Sequence, residues 1–245
     1  MLLKQKIKDI QTLGQKKFRQ QEGIFIAEGP KLVKEILDAD AAAVKEIYAL
    51  KEWIDENKKI SGSAAITEIS AIELEKISQL TTPNKVLALV KQFDAGDEII
   101  TKGKVTVALD CIQDPGNLGT IIRIADWFGV EQIVCSNDSA DVYNPKVVQA
   151  TMGSIARVKI FYIDLEEWLG KQDDVIIYTT ALDGQDVTTM QKLKEGIIVF
   201  GNESKGISPI ILKLAAERIT ISKKGKAESL NAAVATGIIL SQLIT

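Results

Sequence analysis

Side chains able to act on a substrate gather in three stretches, each a buried strand that runs into a loop and then a helix. The first is Leu109–Arg123. Asn117 is read as the N-cap of the following helix. Gly119, four residues before Arg123, shares its helix face and leaves room beside a guanidinium that emerges from apolar neighbours (Ile121, Ile122, Ile124, Ala125, Phe128). A lone cation there calls for an anion, either a substrate group or a local carboxylate such as Asp126. The second stretch is Ile197–Pro209, where Gly201 and Gly206 bound a loop carrying Glu203, a possible partner for Arg123. Its glycine spacing imitates a phosphate-binding loop, but Ile207-Ser208 replaces the Lys-Ser/Thr that would hold phosphate and magnesium, which argues against a nucleotide triphosphatase. The third, Ile219–Asn231, carries a basic loop and Ser229, a natural N-cap for the last helix. Asn231, just inside that helix, is expected to serve a polar partner.

Composition narrows the chemistry. The 245-residue chain has no histidine, so serine- or cysteine-histidine hydrolysis is excluded. With two cysteines, Cys111 and Cys135, and no Cys-x-x-Cys pair, the common zinc sites are excluded too, and no metal is expected. Both thiols are read as buried and free. Reaction must use carboxylates, hydroxyls, amides, Lys or Arg, or a cofactor with its own reactivity. Net charge is −3, yet residues 1–34 hold eight positive side chains against three acidic ones, a local +5 that leaves −8 for the remainder. This basic front either faces phosphate or is a solvated helix face.

The elements that must position these loops follow from periodicity. Strands at 23–27, 44–50 and 86–91, with helices at 30–38 and 70–78 and a short one near Trp53, make a first domain over 1–93; 94–103 reads as a linker. From 104 to 245, uniformly apolar strands at 105–109, 132–135, 158–161, 175–179, 197–200 and 218–221 alternate with helices. That pattern predicts an α/β domain with a mainly parallel, doubly covered sheet, whose ligand sites lie at strand C-terminal ends. The last helix, read from Ser229 to about Leu243, is uncharged but too polar and short to span a membrane. Its Ala232, Ala233, Ala235, Thr236 and Gly237 suggest close packing against another element, which would offset the helix cost of Gly237. Lys4, Lys6 and Lys8 follow Met1-Leu2-Leu3 directly, so no secretion signal is read and a cytoplasmic location is expected.

Asn117-x-Gly119-x-x-x-Arg123, Phe200-Gly201-Asn202-Glu203-x-x-Gly206 and Glu228-Ser229-Leu230-Asn231 before a small-residue helix together resemble the three motifs of the SpoU (TrmH-like) RNA methyltransferases, within the SPOUT superfamily. Lys16-Lys17-x-Arg19 and Gly23–Gly29 are similar to the L30e-like substrate-binding domain often fused in front. The resemblance implies a C-terminal trefoil knot, a homodimer formed through the C-terminal domain, and S-adenosylmethionine held by Ala181, Gly201, Ile221 and Leu230. It implies methylation of a ribose 2′-hydroxyl in structured RNA, ribosomal in preference to transfer RNA. Arg123 would be the catalytic residue, as base or as phosphate grip, with Asn117, Glu203, Ser229 and Asn231 positioning it and the ribose. Lys16, Lys17 and Arg19 would bind RNA. Ser222-Lys223 stands where the family often has Pro-Met, and Ala232-Ala233 where Val-Ser is usual. The alternatives are an inactive RNA-binding protein of the same fold and a base-modifying enzyme.

Overall fold

The computed structural model describes residues 2–58 and 64–244. They form two compact units, the first running to Asp94 and taking in Asp141–Arg157, the second comprising Ala95–Ala140 and Val158 onward. The segment 141–157 thus lies within the stretch assigned to the second domain by sequence but packs with the first unit.

The first unit begins with α1 (Lys4–Thr12), α2 (Lys16–Glu22), β1 (Ile24–Glu28), α3 (Pro30–Asp40), β2 (Val44–Ala49), α4 (Lys51–Glu56), β3 (Ala65–Glu68), α5 (Ala71–Ile77) and β4 (Val86–Lys91). Its sheet has the order β1-β4-β2-β3, with β4 antiparallel to both neighbours and β3 parallel to β2. Strand β3 is absent from the sequence reading because all four of its residues are exposed on an edge and show no apolar alternation. A capping box between Ser70 and Glu73 starts α5. Burial of Ile10, Ile26, Leu74, Ile77 and Leu87 joins α1 and α5 to one sheet face, at roughly 1.5–3 kcal/mol per side chain.

In the second unit, β5 (Val105–Asp110), α6 (Pro115–Trp127) and β6 (Gln132–Ser136) come first. The chain then supplies α7 (Pro145–Thr151) to the first unit before β7 (Lys159–Ile163), α8 (Leu165–Leu169), β8 (Ile177–Asp186), β9 (Gly196–Gly201), α9 (Pro209–Leu214), β10 (Glu217–Thr220) and α10 (Ala232–Leu243). The six strands run β10-β8-β9-β5-β6-β7, and every pairing is parallel. This is the α/β sheet expected from strands without polar alternation; β6 is buried throughout. Strand β8 continues beyond the expected end at 179 because Gly184 lets it pass β10, where a Cβ would stand 2.6 Å from the Arg218 and Ile219 backbone.

Two helix starts differ from expectation. Helix α6 is capped by Asp114, whose carboxylate accepts the Asn117 N–H at 2.7 Å, with Pro115 in the first turn, so Asn117 lies inside the helix. Helix α10 starts at Ala232, not Ser229, because Asn231 Oδ1 accepts the N–H groups of Ala233 and Val234 at 3.0 and 3.2 Å. Ser229 stays in exposed loop. Helix α10 packs on α6. A Cβ at Gly237 would sit 3.6 Å from Ile124, an ordinary contact, so packing within the chain does not require this glycine.

Candidate functional site

The strand order has a switch at β5, which lies between β6 and the later strand β9. At such a switch, loops leaving strand C-termini diverge and open a crevice. Here the loops after β5, β9 and β10 meet. Asn117, on the first turns of α6, donates from Nδ2 to Glu203 in the β9 loop, and its Oδ1 accepts from Asn231 Nδ2 at 2.8 Å. One amide therefore joins all three stretches singled out by sequence. Because Asp114 serves as the cap, the Asn117 side chain is free for this bridge. Asn231, in turn, spends its oxygen on the α10 N-terminus and its NH2 on Asn117.

The β9 loop is built to hold Glu203 in place. Asn202 and Gly206 exchange backbone hydrogen bonds of 3.1 and 2.9 Å. Asn202 Oδ1 accepts from the N–H of Ser204 and Lys205 at 2.9 and 3.0 Å, while Nδ2 donates to the Cys111 carbonyl at 2.8 Å. The loop doubles back so tightly that a Cβ on Gly201 would lie 2.4 Å from Gly206 backbone, which requires glycine there. Asn202 is a structural link that sequence reading left without a role; its signal was an asparagine directly after a strand-ending glycine, where side-chain turns form.

Beneath this loop, Asp110 Oδ2 accepts the Ser208 N–H at 2.7 Å and Glu166 accepts the Ser208 hydroxyl at 3.0 Å. Burial, and then the nearby Asp138 and Glu166, push the Asp110 carboxyl above the usual range against the lowering effect of the Ser208 N–H. The Cys111 thiol is pushed up to about 11, first by burial and then by Asp138. Burial also raises Cys135, which is fully enclosed. Both thiols are free, Cys135 buried and Cys111 half-buried.

A cavity of about 650 Å³ opens between the ends of β8, β9 and β10 and the start of α10. Ala181, Gly201, Ile221 and Leu230 all line it, as do Glu203 and Ser229. Its apolar walls include Leu182 and Leu230, which are 77% and 47% exposed. Residues 221–230 form no regular secondary structure, so their backbone N–H and C=O groups are not committed to a helix or sheet ladder. Arg123 does not line this cavity. It is exposed on α6, on the face that carries Thr120 and Trp127, and forms no hydrogen bond or ion pair among the described residues.

In the first unit the three expected RNA contacts separate. Lys16 and Lys17 are exposed. Arg19 is 2% exposed; it donates to the carbonyls of Leu13 and Gly14 at 2.9 and 2.8 Å and pairs with Asp141 at 2.5 Å. Its Nη1 and Nη2 groups hold the end of α1 and the 141–157 segment to α2, so this arginine is buried in a structural contact instead of standing exposed with the lysines. Nearby, Tyr143 packs on Phe25 with ring centroids 4.9 Å apart. Among the described residues no group of three or more His, Cys, Asp and Glu side chains could hold a metal, and no helix is long and apolar enough to cross a membrane.

The parallel sheet and a ligand-sized cavity at the C-terminal ends of β8, β9 and β10 define the class, an α/β fold with a small-ligand site. Residues 104–241 match the SpoU rRNA methylase family, and residues 4–88 match the MRM3-like substrate binding domain. The chain is 30% identical to the 23S rRNA (guanosine(2553)-2′-O)-methyltransferase RlmP of Bacillus subtilis over 98% of this chain and 96% of that one. An AdoMet-bound rRNA methyltransferase from Sinorhizobium meliloti superposes with a TM-score of 0.84 at 32% identity, covering 99% of this chain and 95% of that one. The SpoU methyltransferase AviRb of Streptomyces viridochromogenes, in complex with AdoMet, shares the fold at a TM-score of 0.83 and 23% identity over 97% and 96% of the two chains. The chain belongs to the SpoU rRNA methylase family.

Proposed function

We propose that the protein transfers a methyl group from S-adenosylmethionine to a ribose 2′-hydroxyl of ribosomal RNA. The observation that carries this reading is the bridge from Asn117 to Glu203 and Asn231, which gathers the three family motifs beside one cavity. The cavity fits the donor: about 650 Å³ is within the usual range for small-ligand sites, the exposed faces of Leu182 and Leu230 can cover an adenine, and the irregular backbone after β10 offers hydrogen-bonding groups. Bound there, the donor supplies an electrophilic methyl on its sulfonium. Asn117 fixes the Glu203 carboxylate, which with Ser229 and Asn231 orients the ribose. Arg123 grips the adjacent phosphate or takes up the hydroxyl proton; a guanidinium holds its own proton so firmly that the first role is favoured, with the hydroxyl proton leaving to water. Ribosomal RNA is favoured by the relative that methylates 23S rRNA and aligns over nearly the whole chain.

The same reading carries a homodimer through the second unit. Its support is exposed apolar surface on α6 and α10, where Trp127, one turn after Arg123, is 82% and Val234 50% exposed. A trefoil knot is supported by the insertion of β9 between β8 and β5. Lys16 and Lys17 bind RNA from the first unit, and the location is cytoplasmic.

The test is incubation with isotopically labelled donor and ribosomal RNA, nuclease digestion and mass analysis of the nucleosides. A 2′-O-methylated nucleoside is expected. Arg123→Ala should lose transfer by at least about a hundredfold while binding donor with unchanged affinity. Label in a base, or transfer preserved in Arg123→Ala, contradicts the reading.

A further inference from the structure

The cavity's rim is cationic in a chain whose net charge is −3. Lys205 in the β9 loop and Lys223 and Lys224 in the β10 loop all line it and all are exposed, and Lys226 follows on the same loop. None of these ammonium groups forms a hydrogen bond or ion pair among the described residues, although Lys205 acts electrostatically on Asp138, whereas Lys6, Lys34, Lys104 and Lys171 pair with carboxylates. The carboxylates on the same cavity are Glu203, engaged by Asn117, and Glu228. The β10 loop is anchored at its start, where the Ser222 hydroxyl bonds to Asp186, itself fixed by accepting the Thr188 N–H at 2.9 Å. Lysines therefore stand on two walls of one opening, with one wall tethered.

We propose that Lys205, Lys223 and Lys224 form a phosphate grip at the mouth of the cavity, holding the RNA backbone on either side of the target ribose. The inference rests on the methyltransferase reading for its substrate class. A ribose 2′-hydroxyl is next to the 3′-phosphate on the same sugar, so a pocket that admits the sugar must also receive that charge. Lysine suits the task because its compact charge tolerates variation in phosphate position. The second unit would thus carry RNA contacts of its own, independent of Lys16 and Lys17.

The test compares the full-length protein with its Lys205→Gln/Lys223→Gln/Lys224→Gln variant and with a Lys16→Gln/Lys17→Gln variant. Affinity is measured for a single-stranded oligouridylate across a salt series, and for S-adenosylmethionine by calorimetry. The triple variant is expected to lose about tenfold in RNA affinity, with the slope of log affinity against log salt falling by roughly 2, as three lost phosphate contacts require. Donor affinity should not change. An unchanged slope overturns the proposal, and so does a loss confined to donor affinity, which would assign the lysines to the donor's carboxylate. Methyl transfer by the wild-type protein to ribosomal RNA is assayed in parallel; its absence would count against the functional reading alone, since the salt slope is read without turnover.

Discussion

Asn231 Nδ2 donates to Asn117 Oδ1 across 2.8 Å, although the two residues are 114 positions apart in the chain. Asn117 passes the link on to Glu203. The β5, β9 and β10 loops are therefore tied by one amide whose orientation is set from both ends. If this tie organises catalysis, Asn117→Ala and Asn231→Ala should be non-additive. A double-mutant cycle on kcat/KM should return a coupling of about 1 kcal/mol, the scale of one hydrogen bond. Additive losses would mean that the contact has no part in turnover.

Arg19 should behave as a structural residue. Its side chain is 3% exposed and that of Asp141 18% exposed, so Arg19→Ala leaves a carboxylate facing a cavity, at a cost of about 3 kcal/mol. Urea unfolding followed by first-unit probes such as Trp53 fluorescence should show the loss. Lys16→Gln should leave stability within about 0.5 kcal/mol. A fragment ending at Asp94 lacks Asp141 and Tyr143 and should be less stable than the same unit in the full chain; equal stability would show that 141–157 adds nothing to it.

Glu28 supplies a pH signature. It is 4% exposed, bonded by the Ser78 hydroxyl and the Gln79 N–H at 2.8 Å, and burial raises its carboxyl despite both bonds. The folded state thus holds the proton more tightly than the unfolded state. Its contribution to stability is therefore greatest below the unfolded value of 4.5 and is lost as pH rises through the higher folded value. Glu28→Gln should remove that slope from the first unit's stability measured between pH 4 and 7 by urea titration, roughly the window around an ordinary carboxylate. An identical slope in the variant would assign it elsewhere.

Much of this architecture is legible in the sequence. The apolar strands of the second unit announce a parallel sheet, and Val86–Lys91 is bounded by the same residues in reading and structure. The motif loops fall at strand ends and Asn231 meets a polar partner, as its position required, but Glu203, read as a partner for Arg123, meets Asn117 instead. What escaped depends on contacts between distant residues. Asn117 and Ser229 are both good caps by local chemistry, but Asp114 and Asn231 do the capping because the chain enters each helix where they stand. Arg19 reads as a phosphate ligand among lysines until Asp141, far along the chain, is seen to claim it. Strand β3 has no periodic signal because it lies exposed at an edge.

Cys111 and Cys135 should be inert. With the Cys111 thiol pushed up to about 11 and Cys135 enclosed, native protein treated with iodoacetamide near neutral pH should remain unmodified by mass spectrometry while urea-unfolded protein takes up two labels. Rapid labelling of Cys111 in the native state would mean that its thiolate is accessible after all.

The most direct test of the central claim is a map of ribose methylation on ribosomal RNA from cells with the protein, without it, and with Asn117→Ala or Arg123→Ala in its place. The account predicts a 2′-O-methyl position that disappears with the protein, returns with the wild-type chain and fails to return with Arg123→Ala. A map unchanged by removal of the protein, or fully restored by Arg123→Ala, would contradict it.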